Sequence, residues 1–165
     1  MKVRKLNNEE LKEIKTQLNN YIDLSIFNFD NLLILIDNNN KINVIYTTNE
    51  VINNIDKLIN INCIGIIFGE LELKQNNKLK FTISLEGLSI LEKNISKNYI
   101  IINSKSETLF LYGRDIFKSS VIKLNGGGKV AVFNENKELL GIGNYGGGDI
   151  IKNIIDKGWY LRKGG

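Results

Sequence analysis

Residues 108–124 read TLFLYGRDIFKSSVIKL. An apolar, aromatic segment ends at Gly113, and Arg114, Lys118 and Lys123 follow within ten residues. Ser104 and Glu107 are spaced as a capping box that opens a short helix, and Gly113 suits the left-handed position that closes one. Downstream, residues 117–124, 130–133, 139–143 and 149–155 are short apolar runs separated by Gly and Asn clusters. Many short strands with glycine punctuation predict a small β-barrel. The opening stretch contains no His, Cys or paired carboxylates, so little chemistry can be built there. Apolar anchors with cations beside them are instead the pattern that lays a chain against a polyanion.

Upstream the periodicity changes. Lys2, Arg4 and Lys5 form a short basic arm, expected to be solvated. Asn7 and Glu10 predict an N-cap and its partner, and Leu11, Ile14, Leu18 and Ile22 follow as the buried stripe of a first helix. Residues 32–37 and 42–46 predict a hairpin around Asn38-Asn39-Asn40, because Asn tolerates left-handed backbone. Thr47 and Glu50 predict a second capping box, before a helix carrying Val51, Ile55, Leu58 and Ile59. Residues 64–73 predict a strand bulged or bent at Gly65 and Gly69. Asn76-Asn77 predicts a turn, residues 79–83 a strand, and Ser84 the cap of a helix carrying Leu85, Leu88 and Leu91. The resulting class is α+β: a mixed α/β domain over residues 1–94 and a barrel domain over 95–165.

Composition narrows the function. With no histidine among 165 residues, His-based acid–base catalysis, Ser-His and Cys-His dyads and most zinc sites are excluded. Cys63 stands alone in an apolar run, which excludes an intrachain disulfide and reads as a small buried hydrophobe. No apolar run approaches the ~20 residues of a membrane-spanning helix. The N-terminus lacks a signal-peptide core, so the expected location is the cytoplasm without membrane attachment. Gly126-Gly127-Gly128-Lys129 lacks the Ser or Thr of a phosphate-binding loop, Val130 standing in its place. It and Gly146-Gly147-Gly148 read as turns between strands. Glu70 and Glu72 share a strand face that Lys74 continues, so a solvated surface is expected in preference to a carboxylate site. No cofactor, metal or catalytic group is expected. The net charge of +4 is unevenly placed: residues 1–95 carry 11 Lys/Arg against 12 Asp/Glu, residues 96–165 carry 11 against 6. The second part should therefore face an acidic partner, nucleic acid being the commonest.

FLYGRDIFKSSVIKL resembles the F-L-Y-G-[N/R]-x-[V/I]-[L/F]-K-S signature of the ribosome-biogenesis family whose eukaryotic member is nuclear import protein seven. IGIIFGELELKQNNKLKFTISLEGLSIL, LLGIGNY and DKGWYLRKGG agree with other elements of that family in order. The resemblance implies an N-terminal α/β domain joined to a C-terminal PUA domain, a small RNA-binding barrel. It further implies a non-enzymatic, monomeric factor in large-subunit assembly that holds ribosomal RNA, uridine-rich in character, and contacts other assembly or RNA-processing proteins. Matching basic positions picks out Arg114, Lys118, Arg162 and Lys163, with Lys123, Lys152 and Lys157 as weaker members. One departure is that only Gly146-Gly147-Gly148 follows the L-G-I-G strand, where many PUA domains insert a helix. Two other readings remain at this point: the targeting module of an RNA-modifying enzyme, and an adaptor in translation initiation.

Overall fold

The computed structural model describes residues 2–57, 64–75 and 78–163, the last without its side chain. The expectations for Leu58, Ile59, Cys63 and Asn76-Asn77 lie outside the described residues. The chain forms two compact units, residues 1–19 with 23–90, and residues 20–22 with 91–165. Among the described residues, no helix is long and apolar enough to cross a membrane.

The first unit is an antiparallel sheet with helices. Its elements are β1 (Lys2–Arg4), α1 (Asn8–Leu18), β2 (Leu32–Ile36), β3 (Ile42–Tyr46), α2 (Asn49–Asn53), β4 (Ile66–Leu73), β5 (Leu79–Ile83) and α3 (Leu85–Leu91), and its strands lie in sequence order. The hairpin between β2 and β3 turns at Asn40, whose φ of 61° is left-handed, while the Asp37 carboxylate accepts from the Asn39 and Lys41 amides. Along β3 and β4, Val44 faces Gly69 but Ile45 faces Ile67, so Phe68 is the extra residue of a bulge. Its ring stacks between Phe27 at 5.3 Å and Phe81 at 6.1 Å. α1 buries Ile14 and Leu18, and its Glu13 accepts the Phe81 amide of edge strand β5 at 3.2 Å.

Two local expectations are corrected here. Lys2–Arg4 is not a solvated arm: it pairs with β2, and Arg4 grips Glu10 through two bonds of 2.8 and 2.6 Å. Thr47 does not cap the second helix. Thr48 occupies the N-cap without a side-chain bond, and the Thr47 hydroxyl donates to the Ile64 carbonyl instead. The helix itself runs only Asn49–Asn53 before a 3₁₀ turn at Ile55–Lys57. Ser84 does cap α3, accepting the Gly87 amide at 2.9 Å.

Glu10 gives this unit an acid-sensitive joint. Burial opposes its charge, but the Arg4 guanidinium and the Asn7 amide outweigh that and hold the carboxyl below its ordinary value. A depressed folded-state value stabilises above the unfolded value and is lost as pH falls through the folded one. Thermal unfolding followed across pH 6 to 3 should therefore show acid destabilisation that is smaller in Arg4→Ala, because that variant has less to lose. Parallel curves for the two proteins would contradict the assignment.

The second unit comprises β6 (Tyr99–Ile102), α4 (Ser104–Leu111), β7 (Ile116–Phe117), β8 (Val121–Asn125), β9 (Gly128–Phe133), β10 (Leu139–Tyr145), β11 (Ile150–Asp156) and α5 (Trp159–Lys163). The strand order is β7-β11-β10-β9-β6-β8, with β6 and β9 the parallel pair. The two edge strands, β7 and β8, are consecutive in the chain and separated by one 3₁₀ turn at Lys118–Ser120, so the sheet curls into a half-barrel. That turn splits the run expected as one strand over residues 117–124. Ile100, Ile102, Phe110, Ile116, Val130, Val132, Leu140, Tyr145 and Ile151 fill the interior. The fold class is the expected α+β, a mixed N-terminal unit followed by a C-terminal curled sheet.

Candidate nucleic-acid interface

The F-L-Y-G segment owes its shape to a helix stop. Gly113 adopts φ 78°, its amide donates to the Phe110 carbonyl at 2.9 Å, and the Arg114 amide reaches back to Leu109 at 3.1 Å. Those two bonds are the Schellman pattern, which needs a residue free of Cβ strain. Phe110 is fully buried and anchors α4 in the core. At the other end the N-cap is Asn103, accepting the Ser106 amide at 3.0 Å; Ser104 is already helical, so the expected Ser104–Glu107 box is displaced by one residue.

Carbonyls at the end of α4 also accept bonds from far along the chain. Asn153 Nδ2 donates to the Phe110 carbonyl at 2.7 Å, and Arg162 Nη1 donates to that of Leu111. Arg162 also holds the Asp156 carboxylate through two bonds of 2.9 and 2.8 Å. Asp156 is 1% exposed, and its bond raises the Arg162 guanidinium above its ordinary value. A Cβ at Gly113 would stand 2.9 Å from Arg162 Nη2. The tail cation therefore meets the turn that carries Arg114, but its fork is committed to Asp156 and Leu111.

The other expected cations separate into three environments. Lys157 lies 3.8 Å from Glu92. Lys123 sits 5.4 Å from the centre of the Tyr99 ring, on β8. Lys118 follows β7, its amide bonded to the Asp149 carbonyl at 2.8 Å and its ammonium 5.7 Å from the centre of the Tyr145 ring. A hydrogen bond with the Tyr145 hydroxyl, aided by the nearby Asp149 charge, raises the Lys118 ammonium above its ordinary value. Arg114 and Lys152 are exposed, the first beyond the Schellman turn and the second on β11. Lys163 belongs to α5, and its side chain lies outside the described residues.

Strand register assembles a surface that the sequence reading missed. Lys152 faces Asn144 across β11 and β10, and Asn144 faces Lys129 across β10 and β9, so the three stand side by side on one face. Ile150, two residues from Lys152 on the same face, faces Phe117 of β7. Phe117 is 64% exposed and Ile150 48%. Lys129 is further fixed through its carbonyl, which accepts from the Tyr21 hydroxyl at 3.3 Å; burial pushes that phenol up to about 12, so it remains a neutral donor. Among the described residues, Arg114, Lys118, Lys129 and Lys152 have no carboxylate within ion-pairing distance. The legible signal was the alternation of residues 150–155, IIKNII, with Lys152 between outward-facing Ile150 and Ile154. Lys129 and Asn144 needed the register.

Similarity to known proteins agrees with both units. The family model described as NIP7/UPF0113, pre-PUA domain, matches residues 3–85, and that described as UPF0113 PUA domain matches residues 98–165. A UPF0113 protein of Archaeoglobus fulgidus is 37% identical over 97 residues, covering 50% of this chain and 55% of that protein. One from Aeropyrum pernix is 35% identical over 68 residues, 40% of this chain and 39% of that protein. The chain thus spans about half the length, or less, of the curated relatives it matches. A conserved PUA domain protein of Thermoplasma acidophilum superposes with a TM-score of 0.58 at 15% identity, covering 97% of each chain. A PUA domain of Aeropyrum pernix K1, solved as a tartrate complex, gives 0.53 at 14% identity, covering 97% of this chain and 88% of that one. At these identities the superpositions carry the fold alone.

Proposed function

The chain belongs to the NIP7/UPF0113 family, and from that premise we propose that it is a non-catalytic RNA-binding factor of large-subunit ribosome assembly. In this reading residues 95–165 hold a single-stranded segment of ribosomal RNA. Residues 1–94 serve as a docking domain for assembly or RNA-processing proteins, and the protein acts as a cytoplasmic monomer. The observation that carries the reading is the row Lys129–Asn144–Lys152, continued through Ile150 to Phe117 and Lys118. Cations held in no ion pair gain by displacing the counterions of a phosphate backbone. Asn144 can address a base edge, and the exposed Phe117 ring offers a face on which an unpaired base can stack. Arg162 and Lys157 enter this reading as supports, since each already holds a carboxylate.

The test is equilibrium binding of the full chain to uridine-rich and cytidine-rich single strands across a salt series. Engagement of three lysines predicts a log–log salt slope of roughly −2, at about −0.7 per neutralised phosphate. Tighter binding to the uridine-rich strand is expected. Absence of binding to both strands at low salt would remove the RNA reading and leave a protein-docking role.

A further inference from the structure

On the C-terminal unit, register builds a second feature further along β9, on the face that also carries Lys129. Lys123 faces Ile101 across β8 and β6, and Ile101 faces Phe133 across β6 and β9, so these side chains line up over three neighbouring strands. Tyr99, two residues from Ile101, shares their face. The opposite face of β6 carries Ile100 and Ile102, both wholly buried in the core. Tyr99 and Ile101 therefore point outward and are partly buried, beside Phe133 at 6% exposure. The segment after α3 supplies Lys93 and Ile95 as one wall, and the β9–β10 turn supplies Lys137, at φ 63°. Together they line an open recess of about 550 Å³, within the range of small-molecule sites.

Its chemistry is specific in two respects. The floor is aromatic, with the Tyr99 and Phe133 rings edge to face at 6.2 Å. The rim carries Lys93, Lys123 and Lys137, none with a carboxylate within ion-pairing distance among the described residues. Glu92 is the one carboxylate in the lining, and it is occupied elsewhere: it accepts the Leu139 amide at 2.7 Å and faces Lys157 at 3.8 Å. An aromatic floor inside a ring of uncompensated ammonium groups fits a planar ring bearing a negative charge. Lys123 rests over Tyr99, and its flexible stem lets it swing toward an anion while a planar group takes its place on the ring.

We propose that this recess binds one nucleotide, its base on Tyr99 against the edge of Phe133 and its phosphate among Lys93, Lys123 and Lys137. The proposal rests on the RNA-binding reading only for the source of the nucleotide, a residue of the bound strand. The experiment is amide NMR of the isotope-labelled full chain, titrated separately with uridine and adenosine monophosphates, inorganic phosphate and a short oligouridine. A triple Lys93→Gln/Lys123→Gln/Lys137→Gln variant is titrated alongside, because exposed lysines can be neutralised without disturbing the core.

Shifts concentrated at residues 93, 95, 99, 101, 123, 133 and 137 are expected with a mononucleotide, with weaker shifts from phosphate. Affinity in the triple variant should fall roughly tenfold, a factor of about two for each exposed charge contact. Oligouridine shifting the same residues at lower concentration than the monophosphate assigns the nucleotide to a strand; monophosphate shifts alone assign a free nucleotide and overturn the RNA source. Equal responses to phosphate and nucleotide overturn base recognition, and unchanged affinity in the triple variant overturns the lysine cradle. Oligouridine binding that leaves these residues unmoved overturns the recess while the RNA-binding reading stands; no oligouridine binding with monophosphate shifts present does the reverse.

Discussion

Arg162→Ala is expected to lower the melting temperature of the C-terminal unit by on the order of 10 °C. The expectation follows from what the guanidinium leaves behind. Among the described residues, Arg162 makes both bonds to the Asp156 carboxylate, and Asp156 is 1% exposed, so removing that partner strands a charge away from water. The Leu111 carbonyl at the end of α4 loses its donor in the same step. Two glycines make room for this fork. A Cβ at Gly113 would stand 2.9 Å from Nη2, and one at Gly158 would stand 2.9 Å from Nη1 and 2.0 Å from the Leu111 carbonyl oxygen. Arg162→Lys should recover only part of the loss, because an ammonium cannot grip two carboxylate oxygens and a carbonyl in one plane. Circular dichroism melting of the three proteins decides it. A melting point for Arg162→Ala within about 2 °C of the wild type would mean that Asp156 finds water or another donor. RNA affinity in Arg162→Ala must be measured well below its melting point, or lost structure will pass for a lost contact.

How much of this was legible in the sequence depends on the reach of each interaction. Asn7 with Glu10, Asn40 in its turn and Gly113 at the end of α4 were readable because their bonds close within a few residues. Arg4 was misread as solvated because its partner strand begins at Leu32, and no local pattern marks a three-residue edge strand. Ser104 and Glu107 satisfied the capping-box pattern, yet Asn103 took the cap: adjacent Asn and Ser both bond backbone amides, and α4 chose the earlier one. The cations show the same limit. Their presence in the second part of the chain was plain, and their environments were not, because Arg162 meets Asp156 through one turn of structure whereas Lys129 meets Lys152 only through the pairing of three strands. Composition can count charges; only register says which of them lack partners.

Lys118→Glu/Lys152→Glu is expected to weaken binding to single-stranded RNA about 100-fold, roughly tenfold for each cation turned from attracting a phosphate to repelling one. The salt slope should flatten by about 1.4, the share of two phosphate contacts. Neither residue holds a carboxylate and both are exposed, so the melting temperature should stay near that of the wild type. Lys5→Glu/Lys12→Glu is the matched control, since it makes the same change in net charge on exposed residues of the first unit. If nonspecific attraction to a basic protein were the whole effect, the two double variants would lose affinity alike, with equal slopes. A large loss confined to Lys118 and Lys152 would locate the strand on the β11 side of the sheet, because a screened charge acts over only about 10 Å at moderate ionic strength. Equal losses would leave the protein a basic surface without an address, and the Lys129–Asn144–Lys152 row would then have to be explained by something other than RNA.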